Sequence, residues 1–349
     1  MMTSHNLLRI LLLADTHLGF DLPARPRIQR RRRGPDFFAN FERALEPALR
    51  DEVDLVVHGG DLFYRSKVPA ALVELAMAPL VRVAGRGTPV YLVPGNHERS
   101  RIPLHLWAAH PNLHIFDRPR TFLYAGAKGS IALSGFPFAR QVRDEFARLV
   151  HQTRCGEVVA DHHLLCMHQI VEGAQVGASN YTFRCGPDVV SGRDLPAIFS
   201  AVLCGHIHRA QTITHDLNGK PLPAPVICPG SIERTSFAER TEHKGYVILT
   251  IDPASRTIAS IQDTFVPLPV RPMVSLLLEP AGSDTETLMR QLATELHALH
   301  PDSVVRLRLG GPKAREAREV LSASYLRDIA PPTMNIDLAP DPAQYRLGS

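Results

Sequence analysis

Five short apolar runs in this chain end in the same kind of punctuation, and that repetition limits the fold more than any other feature. Leu7 to Leu13 leads into "ADTHLG", with Asp15 and His17. Asp54 to Val57 leads into "HGGDLF", with Asp61, and Val90 to Val93 leads into "PGNHER", with Asn96 and His97. Leu164 to Met167 ends at His168, and Ala201 to Cys204 leads into "GHIH", with His206 and His208. Runs of this length, closed by glycine or proline, read as buried strands. Between the early ones lie helical patterns. One starts at Asp36, with Phe37, Phe41, Ala44, Leu45 and Ala48 on its inner face and Pro47 kinking or ending it. A second covers residues 69 to 84, with Pro69 in its first turn. The order β-α-β-α-β predicts a layered α/β sandwich with helices outside. Further strands are expected at Ile131 to Ser134, Val226 to Cys228 and Tyr246 to Ile251.

Ligands of open α/β sheets gather beyond the carboxyl ends of the strands, where all of these polar groups fall. The set should therefore converge. Asp15 and His17, two apart in an extended segment, project to one side. Two aspartates, one asparagine and five histidines are too many for one ion and suit two. Carboxylate, amide and imidazole without thiolate fit Mn²⁺, Fe²⁺ or Zn²⁺ in five- or six-coordinate sites and do not fit a structural zinc. Two ions about 3.5–4 Å apart are the usual apparatus for displacement at phosphorus.

The remaining composition narrows the setting. Five scattered cysteines with no CxxC spacing argue against a disulfide framework or a zinc ribbon. The apolar start is interrupted by Arg9 and Asp15, so it is not read as a signal sequence, and no stretch is long and apolar enough for a membrane span. A cytoplasmic protein with no membrane partner is expected. The net charge of +4 is modest, but "RPRIQRRRR" concentrates arginine at residues 25 to 33. Arg30, Arg31, Arg32 and Arg33 are candidate polyanion contacts, against the plainer reading of a solvated loop. A proline-rich passage, Phe265 to Met273, marks a boundary. We divide the chain into a catalytic domain at 1–268, a small α+β domain at 269–340 and a tail at 341–349. The small domain should contain a strand at Val274 to Leu278, a helix at Thr285 to His300, a strand at Val304 to Leu309, a polar helix near 313–327 and a short strand near Met334.

The series "ADTHLG", "GGDLF", "PGNHE", "MHQ" and "CGHIH" resembles the calcineurin-like metallophosphoesterase superfamily over about residues 7 to 210. "GGDLFYRSKVP", "PGSIERTSFAER" and "KGYVILTID" are similar to the SbcD-type nucleases, through about residue 252. The resemblance implies a four-layer α-β-β-α sandwich with a small C-terminal capping domain that contacts DNA. It implies one metal on Asp15, His17, Asp61 and His208, another on Asp61, Asn96, His168 and His206, and Asp61 as the bridge. It makes His97 the proton donor to the leaving group and Mn²⁺ the expected ion at both positions. The implied function is a DNA exonuclease, also cutting single strands, in double-strand-break repair or recombination. The alternative is a phosphodiesterase or phosphomonoesterase for small substrates. A protein phosphatase is disfavoured because "GDLFYRS" lacks the Asp-Arg-Gly of those enzymes, and an intact ligand set argues against a vestigial scaffold. DNA is the implied partner, with a homodimer left open. Relatives continue into a helical segment that binds an SbcC-type ATPase, and no convincing counterpart is visible. Two departures stand out. Glu98 replaces a common aspartate, and Tyr64 replaces a histidine near the substrate, as a stacking surface or a pocket wall. His58 is expected to support Asp61, the other histidines to be ordinary, and Phe136, Phe138 and Trp107 to belong to the core.

Overall fold

The computed structural model describes residues 7–23, 25, 27, 30–98, 110–255, 261–279 and 285–340. Trp107, His5, His105 and the tail from 341 lie outside them. The chain divides into two compact units. One comprises Met1–Leu22 and Arg33–Pro269; the other comprises Pro23–Arg32 and Val270–Ser349. Residues 23–32, with most of the arginine run, thus group with the second unit although they lie early in the chain.

The first unit is built on two six-stranded sheets. One has the order Ile261–Pro267, Gly245–Ile251, Leu8–Leu13, Leu55–His58, Val90–Leu92, Leu113–Ile115, and its last four strands run parallel. The other has the order Gln211–His215, Pro221–Cys228, Ala201–Gly205, His162–His168, Gly129–Gly135, Arg120–Gly126, with the middle four parallel and both edges antiparallel. Leu8, Ile10, Leu12 and Val57 pack against Leu133, Leu164, Leu203 and Ile227 to form the core between the sheets. Alternate residues of the same strands, Leu11, Leu13 and Val56, pack outward on Phe37, Phe41 and Leu45 of helix Gly34–Leu49 and on Val73 and Leu80 of helix Ala70–Gly85. On the far side, Leu165, Met167 and Val202 meet Phe146 and Leu149 of helix Val142–Gln152. This is the four-layer α-β-β-α arrangement. Strands covered on both faces have no polar side to present, so their sequences are nearly continuous apolar runs, interrupted in Leu8–Leu13 by Arg9.

Elements that the sequence did not reveal are the half-covered ones. The edge strand Arg120–Gly126 has no fully buried residue, and helix Val142–Gln152 buries only Val142, Phe146, Leu149 and Val150. The first helix starts at Gly34 with Arg33 at its N-cap, and Asp36 lies in the first turn instead of capping it. Pro47 falls in the last turn, and the helix ends two residues later at Leu49, as expected of a proline near a helix end.

The second unit holds a three-stranded parallel sheet, Met273–Leu278, Val304–Leu309 and Asn335–Leu338, in that order. Helix Thr285–Ala298 covers it with Leu288, Leu292 and Leu296 against Leu278, Val305, Leu307 and Ile336. The single polar helix expected near 313–327 is two, Ala314–Val320 and Ala323–Ile329, because Ser322 caps the second by accepting from the Tyr325 amide at 3.1 Å. Within this unit Arg31 is ion-paired with Asp302, and its carbonyl accepts from Asn335 Nδ2 at 2.9 Å.

Phe41 is fully buried in the layer between helix and sheet. Phe41→Ala should therefore cost about 3–5 kcal/mol in urea unfolding of the larger unit. Leu75→Ala, at a side chain 52% exposed on helix Ala70–Gly85, should stay within about 0.5 kcal/mol.

Candidate metal centre

The five strand ends turn abruptly, and the backbone shows where. Asp15 (φ 51°), His17 (φ 44°), Asp61 (φ 52°) and His206 (φ 83°) all sit in the left-handed region that side chains disfavour. Such residues cost of order 1–3 kcal/mol each and gather at functional sites. Glycines make the convergence possible. A Cβ on Gly60 would run into the His168 ring, and one on Gly95 into the Asp61 carboxylate. A Cβ on Gly205 would overlap the carbonyl of Gly59 in the opposite sheet.

All eight expected groups come together at one end of the sandwich. His17 Nε2 lies 3.0 Å from His208 Nε2, which is 3.9 Å from Asp15 Oδ1. His168 Nε2 lies 3.1 Å from both Asn96 Oδ1 and His206 Nδ1 and 3.4 Å from Asp61 Oδ2. Three groups place their ligand atoms within 4.8 Å of one another: Asp15, His17 and His208; His17, Asp61 and His97; and Asp61, His168 and His206. Asp61 and His17 are each shared by two of these groups. His97 reaches Asp61 Oδ2 at 3.9 Å through Nε2, while its Nδ1 donates to the Tyr64 carbonyl at 2.5 Å.

The donor set fits divalent cations. His168 Nδ1 donates to Gly59 O at 2.8 Å, which leaves Nε2 facing Asn96 Oδ1, His206 Nδ1 and Asp61 Oδ2. One proton on Nε2 serves one of these acceptors at a time, whereas a cation satisfies all of them. His17 Nδ1 is buried with no hydrogen-bond partner. The charges tell the same story. Burial pushes Asp15 up to about 6, with His168 and His208 pulling the other way. Burial also opposes ionisation of Asp61, but the adjacent His168 overrides it and holds the carboxyl well below its usual range. His17 and His206 are pushed down to about 3, first by burial and then by neighbouring imidazoles, so their lone pairs stay available. His168 is pulled the opposite way. Burial disfavours its charge, yet Asp61 and Asp15 raise it to about 10, so the surrounding carboxylates favour a positive charge at this position.

Supporting groups complete the site. The Glu98 carboxylate accepts from the amides of Gly95 (2.7 Å), Phe63 (2.9 Å) and Asp61 (3.0 Å), tying two ligand loops together. Burial, then the charge of Asp61, pushes it up to about 8. His58 donates to Thr16 Oγ1 at 3.1 Å and accepts from the Gly60 amide at 3.2 Å, so it braces the first two turns. Phe138 is a correction: it is half-buried and not in the core, with its ring 5.7 Å from His206 and 6.2 Å from His168. Glu239 and Lys244 stand behind His208; they lie in the stretches "PGSIERTSFAER" and "KGYVILTID", but sequence reasoning gave neither a role at the site.

The sequence profile of calcineurin-like phosphoesterases matches residues 8–210, which include all eight groups. The chain belongs to the calcineurin-like phosphoesterase family. This phosphoesterase is 29% identical over 311 residues to the DNA double-strand break repair protein Mre11 of Haloferax volcanii, covering 87% of this chain and 61% of that protein. The chain thus spans about three-fifths of the length of that relative. Among solved structures, a dimetal phosphatase from Danio rerio superposes with a TM-score of 0.43 at 12% identity, over 69% of this chain and 92% of that one.

The candidate DNA contacts divide in the phosphoesterase. Arg33 is buried, its guanidinium over the rings of Phe20 (5.2 Å) and Phe37 (5.8 Å) and 3.4 Å from Glu233. It is occupied in the fold and does not present itself to a ligand. Arg31 pairs with Asp302 in the second unit, and Arg30 and Arg32 have interactions of their own. Tyr64 is half-buried, packed edge-on against Phe20 at 4.9 Å and His17 at 6.1 Å. Among the described residues no helix is long and apolar enough to cross a membrane.

Gly205→Ala tests the closeness of the sheets. The added methyl would meet backbone and the ring of His168, neither of which can yield easily. The variant should melt below wild type and bind less divalent metal, measured by scanning calorimetry and elemental analysis.

Proposed function

We propose that this phosphoesterase is a two-ion DNA phosphodiesterase, an exonuclease that also cuts single strands, acting in double-strand-break repair or recombination. One observation carries the step from phosphoesterase to nuclease. The likeness to a DNA double-strand break repair protein covers 87% of the chain and so necessarily reaches into the second unit, past the catalytic match that ends at residue 210. In this reading Asp15, His17, Asp61 and His208 would hold one Mn²⁺ and Asp61, Asn96, His168 and His206 the other, with Asp61 common to both. Divalent ions, when bound there, would supply an activated water near neutral pH and neutralise charge at phosphorus.

The chain's own residues do the rest. The Tyr64 carbonyl fixes His97 by accepting a hydrogen bond from its Nδ1–H, so Nε2 is the nitrogen turned to the site, and the partly exposed ring leaves it open to substrate. As imidazolium it donates a proton to the departing sugar oxygen. Gly95 and Glu98 hold the loop that carries Asn96 and His97 against Asp61, whose Oδ1 accepts from the His97 amide at 3.0 Å. Tyr64 and Phe138 flank the ligands on two sides and offer ring faces to a sugar or base. The second unit positions the DNA, and DNA is the only macromolecular partner this reading requires; an SbcC-type ATPase and a second copy of the chain are additional to it.

His97→Ala should retain both ions while turnover falls about 10²–10⁴-fold, the usual worth of general acid catalysis. Loss of an ion, measured by elemental analysis, would make His97 a ligand instead. The substrate class is tested with the full chain on labelled duplex and single-stranded DNA beside bis-p-nitrophenyl phosphate, each with Mn²⁺, Mg²⁺ or EDTA. Cleavage of both DNA and diester, greatest with Mn²⁺ and abolished by EDTA, is expected. Diester hydrolysis with intact DNA would return the small-substrate alternative.

A further inference from the structure

The segment "PGSIERTSFAERTEHKG", Pro229 to Gly245, has no part in the hydrolytic chemistry, yet it wraps His208. The His208 carbonyl accepts from the Ser231 amide at 3.1 Å and from Lys244 Nζ at 2.8 Å. Its Nδ1 donates to Glu239 Oε1 at 3.2 Å. That carboxylate is itself fixed by the hydroxyls of Thr235 (2.7 Å) and Ser236 (3.2 Å) and by Lys244 Nζ at 2.7 Å. Lys244 also reaches Glu242 at 3.1 Å, and Glu242 is met from its other side by Arg209 Nε at 3.3 Å. Lys244 is 1% exposed and both glutamates 7%.

Stability does not account for such a cluster. Desolvating three or four charges is expensive, and an apolar cluster of similar volume is often as stable or more so. Orientation does account for it. With Nδ1–H committed to Glu239, the only lone pair left to His208 is on Nε2, which points at Asp15 and His17. A carboxylate behind a ligating imidazole in this way fixes tautomer and ring angle and raises basicity.

We infer that Glu239 and Lys244 are positioning residues for His208, Glu239 holding the imidazole by its Nδ1–H and Lys244 holding both Glu239 and the His208 backbone. The inference rests on the reading that His208 holds an ion. Because, among the described residues, Glu239 and Lys244 contact His208 and no other member of the ligand set, they act on one of the two ions and leave the other alone.

The test is equilibrium binding of Mn²⁺ and Co²⁺ to the metal-free full chain, by calorimetry and by the Co²⁺ visible spectrum. His208→Ala is the reference and should lose one ion. Glu239→Ala should weaken one ion about 10–100-fold, the usual effect of removing a partner behind a metal ligand, and leave the second at wild-type affinity. The Co²⁺ bands of the affected position should shift. Glu239→Gln, which keeps an acceptor oxygen, should recover part of the loss, and Lys244→Met should reproduce the one-ion defect. Metal-free melts identify any variant that fails to fold; should Glu239→Ala do so, Glu239→Gln, nearly isosteric, carries the test with a several-fold loss at one ion. Wild-type affinity for both ions in every folded variant, or equal weakening of both, overturns the inference. Retention of both ions by His208→Ala would instead overturn the reading of His208 as a ligand.

Discussion

The two sheets of the catalytic unit touch through bare backbone at Gly59 and Gly205, and the site depends on that closeness. A Cβ on Gly59 would press on the Gly205 amide at 3.1 Å, so neither position has room for a side chain. His168 ends a strand of one sheet and donates to the Gly59 carbonyl of the other at 2.8 Å. This bond sets the ring of His168 and leaves its second nitrogen facing Asn96, His206 and Asp61. Elsewhere the sheets are held apart by leucine, isoleucine and valine; where glycine replaces them, polar side chains from five strand ends come within hydrogen-bonding distance of one another.

What gathers there is unfavourable without cations. Asp15, Asp61 and Glu98 are buried carboxyl groups within one small volume, beside the buried imidazole of His17 and the half-buried one of His206, both pushed down to about 3. The chain meets this in part with amides directed at Glu98 and Asp61, and the left-handed backbone of Asp15, His17, Asp61 and His206 adds strain to the cost. A fold does not accumulate desolvated charge and strained dihedrals for stability. Their concentration at one end of an otherwise apolar sandwich is the physical mark of a site built for divalent ions.

The arginine run shows how differently identical residues are used. Arg33 lies over two phenylalanines in the first unit, and Arg31 is paired with an aspartate in the second. Polyanion binding read from such a run has to be argued for each guanidinium, because a buried and paired arginine has already lost the hydration that a phosphate would replace.

Much of the catalytic unit was legible in the sequence because its central strands are buried on both faces and its ligands follow those strands directly. Leu7 to Leu13 has no polar alternation to mislead, and Asp15 comes two residues later. The helices Gly34–Leu49 and Ala70–Gly85 were equally plain, since one face of each is continuously apolar. Half-covered elements such as Arg120–Gly126 left no such pattern. Phe136 and Phe138 look alike in sequence, and only the path of the chain as it leaves the strand after Gly135 sends one into the core and the other beside His168 and His206. The sequence by itself determined which residue types stand at the strand ends, and hence the kind of chemistry. The tertiary structure alone decided which charges are buried and against what: Glu239 and Lys244 lie 31 and 36 residues from His208 along the chain and touch it in space. Burial and pairing are properties of non-local contacts, and no local pattern of residues encodes them.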